Sequence, residues 1–121
     1  MTNNMENTNL VILSGDWADG DILREIRFIN DDELEKFINT FEEIGELYHR
    51  FKEEYDFQDY GDLMAWLDEY GEEYLDDPMS YYMFIEEYFP YEGYSQTGCK
   101  YVTLSYTKVI VDPEDFKIIN I

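Results

Sequence analysis

The side chains that most often carry chemistry are scarce in this chain. His49 is the only histidine and Cys99 the only cysteine among 121 residues. One imidazole cannot build a histidine-rich metal site, and His49, beside Arg50 in a helical stretch, reads as a surface or packing residue. A nucleophilic thiolate wants a histidine or a strongly positive surrounding. Cys99 has only Lys100 nearby in an otherwise acidic region. A lone cysteine also excludes an internal disulfide and suits a reducing compartment. No phosphate-cradling GxxxxGK[ST], dinucleotide GxGxxG or HExxH motif occurs. The run Gly93-Tyr94-Ser95-Gln96-Thr97-Gly98 has the wrong spacing for a nucleophile elbow and no strand ahead of it.

Carboxylates, by contrast, are abundant: 29 Asp and Glu against 8 Lys and Arg, a formal net charge of -21. With that many acids a neighbouring pair arises by chance, so pairing does not identify a general acid and base. Asp16, Asp19 and Asp21 lie in one turn-rich stretch and Asp76 and Asp77 in another. Neither has the alternating ligands and closing Glu of an EF-hand. The chain reads as non-enzymatic, with no cofactor and no dedicated metal site. A small domain usually carries a net charge of magnitude about 2–8, and the excess here sets the compact state against self-repulsion.

The distribution of charge is more informative than its total. From Glu53 to Cys99, fourteen acidic residues occur without one Lys or Arg in 47 positions. Many come as doublets: Glu42-Glu43, Glu53-Glu54, Asp68-Glu69, Glu72-Glu73, Asp76-Asp77 and Glu86-Glu87, at offsets of 11, 15, 4, 4 and 10. On a continuous helix, offsets of 4, 11 and 15 return to nearly one face. Carboxylates one turn apart are about 5.4 Å apart along the axis, whereas DNA phosphates recur every ~3.4 Å of axis per strand. A rigid row of carboxylates can therefore offer a cationic groove a line of negative charge resembling a phosphate backbone. Interleaved are nine tyrosines, Tyr55, Tyr60, Tyr70, Tyr74, Tyr81, Tyr82, Tyr88, Tyr91 and Tyr94. Tyrosine supplies large contact area at low entropy cost. Tyr70 and Tyr74 read as core from their helical spacing. The expected contact residues are Glu53, Glu54, Asp68, Glu69, Glu72, Glu73, Asp76, Asp77, Glu86, Glu87, Tyr74 and Tyr81.

In composition and in these doublets, residues 42–92 resemble the acidic DNA-mimicking anti-defence proteins of phages and mobile elements, small inhibitors of restriction enzymes or CRISPR effectors. That group shares no common fold. A fainter similarity, to the N-terminal part of ArdA-type antirestriction proteins, lies in Leu13-Ser14-Gly15-Asp16-Trp17-Ala18-Asp19-Gly20-Asp21-Ile22-Leu23 followed by a strand and an acidic helix. The resemblance implies a non-catalytic inhibitor whose partner is a basic nucleic-acid-binding protein in the cytoplasm of a bacterial host. The alternative is an immunity-type protein that covers a basic nuclease toxin. Direct nucleic-acid binding and anionic membranes are excluded by charge. The longest apolar run, Leu10-Val11-Ile12-Leu13, is too short to span a bilayer. The opening residues show no signal-peptide pattern.

The elements that must position these groups read as one domain over residues 1–121, with 1–8 a disordered tail. Leu10 to Leu13 predicts a strand, Gly15 to Asp21 a turn-rich loop, and Ile22 to Ile29 a second strand with Ile22, Ile26 and Phe28 on one face. Asn30 predicts an N-cap, and Leu34, Phe37, Ile38, Phe41, Ile44, Tyr48, Phe51 and Tyr55 a long helix that Gly45 interrupts or bends. A second helix is expected over 62–70 with Leu63, Trp66, Leu67 and Tyr70 inward, and a third over 80–89 after Pro78. Tyr101 to Val111 and Phe116 to Ile121 predict a second hairpin. The order ββαααββ argues for an α+β fold, a small antiparallel sheet of two hairpins with about three helices on one face. Val11, Leu13, Ile26, Phe28, Val102, Leu104 and Ile110 are its expected scaffold.

Overall fold

The computed structural model describes residues 6–17, 20–91, 98–112 and 117–119. It has the expected α+β architecture: an antiparallel sheet carrying three helices on one face. Strand β1 spans Glu6–Trp17 and β2 Gly20–Phe28, paired as a hairpin from Asn9↔Phe28 to Trp17↔Gly20. Strand β3, Val102–Asp112, pairs with the other edge of β1, placing Leu13 opposite Leu104 and Val11 opposite Tyr106. A short β4, Lys117–Ile119, borders β3, so the order is β2-β1-β3-β4.

The helical layer follows its local signals. Helix α1 runs Asp31–Phe51, and the Asn30 side chain accepts from the Glu33 N–H at 2.8 Å, satisfying one of the four donors a helix start leaves open. Helix α2 spans Tyr60–Tyr70, capped by Asp59, and α3 spans Pro78–Tyr88, capped by Asp77 with Pro at its first position. A 3-10 turn, Gly71–Glu73, separates the last two. Gly71 is buried there, and a side chain in its place would set a Cβ 2.5 Å from the Pro78 Cβ.

Alternation along the strands turns Val11 and Leu13 into the core, with Ile26, Phe28, Val102 and Leu104 packed against it. On the helical side the core consists of Leu34, Phe37, Ile44, Leu47, Tyr48 and Phe51 from α1, Leu63, Met64, Trp66 and Leu67 from α2, and Ile85 from α3. Phe37 joins the layers, its ring 5.1 Å from Phe28, 4.7 Å from Phe84 and 5.1 Å from Tyr88. Polar ties repeat the join: Asn9 and Lys108 both donate to Asp31 in the first turn of α1, at 3.0 and 3.1 Å. The Asn9 hydrogen bond, and then Lys108, hold the Asp31 carboxyl below its ordinary range. Cys99 is buried with its Sγ donating to the Pro90 carbonyl, and it occupies the space that a side chain at Gly15 would need.

Several sequence expectations are corrected. Residues 6–8, expected in a disordered tail, belong to β1, which begins at Glu6, and Thr8 is buried with its hydroxyl donating to the Phe28 carbonyl. Residues 1–5 lie outside the described part. The described residues of the stretch Gly15 to Asp21 are ladder rather than loop, with Asp16 opposite Asp21 and Trp17 opposite Gly20. Gly45 does not interrupt α1, which ends instead at Phe51 and leaves Tyr55 in the turns beyond. Tyr70 is exposed rather than inward. The second strand pair is present, β3 facing β4 antiparallel from Ile110↔Ile119 to Asp112↔Lys117, while Phe116, Asn120 and Ile121 lie outside the described residues; the long elements run strand, strand, three helices, strand. Ile110 is only partly buried, and its neighbour Val109 is the buried residue of that stretch.

Candidate functional site

All ten expected carboxylates, Glu53, Glu54, Asp68, Glu69, Glu72, Glu73, Asp76, Asp77, Glu86 and Glu87, are exposed and belong to the helical layer, none to the sheet. The single helical row inferred from their offsets is not what displays them. Glu53 and Glu54 sit in the turns after α1, Asp68 and Glu69 on the last turn of α2, Glu72 and Glu73 in the 3-10 turn, Asp76 and Asp77 in the link to α3, and Glu86 and Glu87 near the end of α3. Helix α2 ends at Tyr70 and tightens into the 3-10 turn between Asp68 and Glu72, so the four-residue offset there no longer means one helical face.

What gathers them is an aromatic floor beneath. Trp66 is buried with its ring stacked on Phe51 at 4.7 Å. The Tyr74 ring lies 5.0 Å from Phe51 and 5.4 Å from Trp66, and Tyr55 and Tyr70 are 5.5 Å apart. Aromatic pairs at such separations hold each other in place beyond simple area burial. Tyr74 is 45% exposed, one edge on this floor and its hydroxyl 3.1 Å from that of Tyr55. Its pKa is pushed up to about 12, first by the Tyr55 hydrogen bond and further by the charges of Glu54 and Glu73. Tyr70 is raised chiefly by Glu69 and also feels Glu73. Glu54, Glu69 and Glu73, from three separate segments, thus share one field around Tyr55, Tyr70 and Tyr74.

Tyr81 makes the second anchor. Its hydroxyl donates to Glu43 Oε2 at 2.7 Å, tying α3 to α1, and its pKa is pushed up to about 12, first by that bond, then by burial and the nearby charges. A groove of about 360 Å³ lined by Tyr74, Leu75, Asp76, Asp77, Ser80 and Tyr81 runs between the two anchors. Glu43 belongs to the acidic doublet on α1, but nothing in the sequence joins it to a residue 38 positions later. The structure does not bring Glu86 and Glu87 into this group. Glu87 acts instead on Tyr88, which also feels Arg24 of β2.

The chain's own cations do little to neutralise this surface. Among the described residues, only Arg27–Glu25 at 3.9 Å and Lys108–Asp31 at 3.1 Å form ion pairs. Arg24, Arg50 and Lys52 lie instead over the rings of Tyr91, Phe51 and Tyr48 at 5.4, 5.0 and 5.4 Å. None of the ten carboxylates is paired with a Lys or Arg among the described residues.

The tyrosines of the acidic segment divide by burial. Tyr60 is buried, Tyr55, Tyr81, Tyr82 and Tyr88 are partly buried, and Tyr70, Tyr74 and Tyr91 are exposed. The expectation that Tyr70 and Tyr74 are core is overturned, because α2 ends between them. Tyr94 and Glu92 lie outside the described residues, as does Asp19 of the first acidic loop. Among the described residues no three His, Cys, Asp or Glu side chains converge as a metal site, and no helix is long and apolar enough to cross a membrane. Comparison with protein-family models, with curated proteins and with solved structures gives no match.

Proposed function

We propose that this protein is a non-catalytic inhibitor that offers its helical layer as a surrogate for DNA and blocks a nucleic-acid-binding defence enzyme, a restriction enzyme or CRISPR effector, in the cytoplasm of a bacterial host. The observation that carries the reading is that ten carboxylates from five segments stand exposed on one layer with no Lys or Arg paired to them among the described residues. A face that needed only solubility would mix its signs, since opposite charges stabilise where like charges repel. Set over a stacked aromatic base, these carboxylates meet a cationic channel without first breaking an ion pair among the described residues. The exposed tyrosines add apolar contact and hydroxyls between the charges. Such an interface associates fast and weakens with salt, because the target's phosphate-binding groups exchange one set of anions for another.

The test is a triple reversal, Glu72→Lys, Glu73→Lys and Asp76→Lys, in a salt-graded pull-down from host lysate with duplex DNA as competitor. Asp77 is kept because its side chain accepts from the Ser80 N–H and caps α3. The parent should capture a cationic partner that both salt and duplex DNA displace, and the variant should fold but capture nothing. A variant that binds as well as the parent refutes the reading. A partner that DNA cannot displace points instead to the immunity-type alternative, in which a nuclease is covered beside its nucleic-acid path.

A further inference from the structure

We propose that the notch between the end of α1 and the outer side of α2 is a receptor for a single arginine side chain of the partner. The proposal deepens the mimicry reading and rests on it for the partner's identity, but the notch has a chemistry of its own. It encloses about 210 Å³, below the ~300–1,000 Å³ of ordinary small-molecule sites and suited to one side chain. Four rings form its walls: Tyr55 is 6.2 Å from Phe57, 5.7 Å from Trp66 and 5.5 Å from Tyr70. Asp56, Asp62 and Glu69 supply three carboxylates around them. Ring faces plus carboxylates are what a cation leaving water requires.

The size and spread of the donors choose between cations. The three carboxylates do not converge as a metal site, so a compact ion is poorly held. A guanidinium is broad, planar and weakly hydrated; it stacks on rings while its fork of N–H groups reaches carboxylates on more than one side. Among the described residues no Lys or Arg pairs with Asp56, Asp62 or Glu69.

The backbone sets the position of Asp56. Asp56 has φ +54° at the end of the turns that follow α1, and the Phe57 N–H reaches back to the Lys52 carbonyl at 2.9 Å. This is the left-handed position of a Schellman-type closure, which glycine fills best. An aspartate there gives up stability for a carboxylate, and Gln58 steadies two of the three carboxylates, its side chain donating to Asp56 Oδ1 at 3.0 Å and its backbone N–H to Asp62 Oδ2 at 2.7 Å.

The experiment is an NMR titration of the whole protein with L-argininamide, its neutral isostere citrullinamide, and lysinamide. Argininamide should give saturable shifts confined to Tyr55, Asp56, Ala65 and Tyr70, and citrullinamide none. Asp56→Gly, which the backbone favours, and Tyr70→Ala, which removes an exposed ring, should each weaken argininamide by roughly two- to five-fold. The proposal is overturned if shifts spread evenly over the acidic layer, if citrullinamide or lysinamide acts equally, or if both variants bind as the parent does. Failure of the pull-down with a confined argininamide response removes the mimicry reading and leaves the notch; the reverse result removes the notch alone.

Discussion

Alkali tests the packing under the acidic surface most directly, through Tyr60. This residue opens α2, is buried, stacks on Tyr48 with ring centroids 4.3 Å apart, and lies 5.1 Å from Phe89. Burial first, then the neighbouring Tyr48 and Cys99, pushes its pKa from 10.0 up to about 12. A raised pKa means the folded state keeps a proton that the unfolded chain gives up earlier. Its contribution is therefore complete below the unfolded value and is lost as pH rises from about 10 toward about 12. Two units correspond to about 3 kcal/mol at ~1.36 kcal/mol per unit, a large share of a small domain's stability. Tyr74 and Tyr81, also pushed up to about 12, act in the same direction from more exposed positions. The assay is urea unfolding across the alkaline range for the parent and Tyr60→Phe, with tyrosinate absorbance followed in the folded protein. The parent should lose about 3 kcal/mol more than the variant over that interval, and a group of tyrosines should ionise late. Equal losses in both proteins, or one titration step for all tyrosines at the ordinary value, would show that Tyr60 is not buried against Tyr48 as described.

Other perturbations separate local from tertiary effects. Gly45→Ala should stabilise the fold by about 1 kcal/mol in a thermal melt, because it sits within α1 and an added Cβ meets nothing within 4 Å. Gly71→Ala should destabilise by about 1–3 kcal/mol, because its Cβ would press on Pro78 at 2.5 Å and loosen the link that carries Glu72 to Asp77. Tyr48→Phe should stabilise by about 1 kcal/mol, since the Tyr48 hydroxyl is buried without a hydrogen-bond partner among the described residues.

The legible parts of this molecule were those written in neighbouring residues. Asn30 with Glu33, Pro78 after Asp77, and the apolar spacing of Leu34, Phe37, Ile44 and Phe51 announce their helices because capping bonds and periodicity act within a turn or two. The strand pairings were less legible: the ladder from Gly15 to Asp21 overrides turn-rich composition, since cross-strand bonds compete successfully with local preference. Tyr70 misled by its spacing. Its position follows Trp66 by one turn, yet α2 ends there and nothing packs over the ring's outer edge, leaving it 37% exposed.

By itself the sequence determined the excess of acid, the segment without cations, the capped helices and the α+β class, all properties of composition or of contacts a few residues long. Only the tertiary structure decided how the carboxylates are shown. It broke the apparent helical row at Gly71, set Glu43 against Tyr81 across 38 positions, and brought the turns after α1 over α2 to form an acidic aromatic notch. Such meetings depend on chain closure and on burial of Trp66 and Phe51, whose energies come from the whole core and leave no mark in any short stretch of residues.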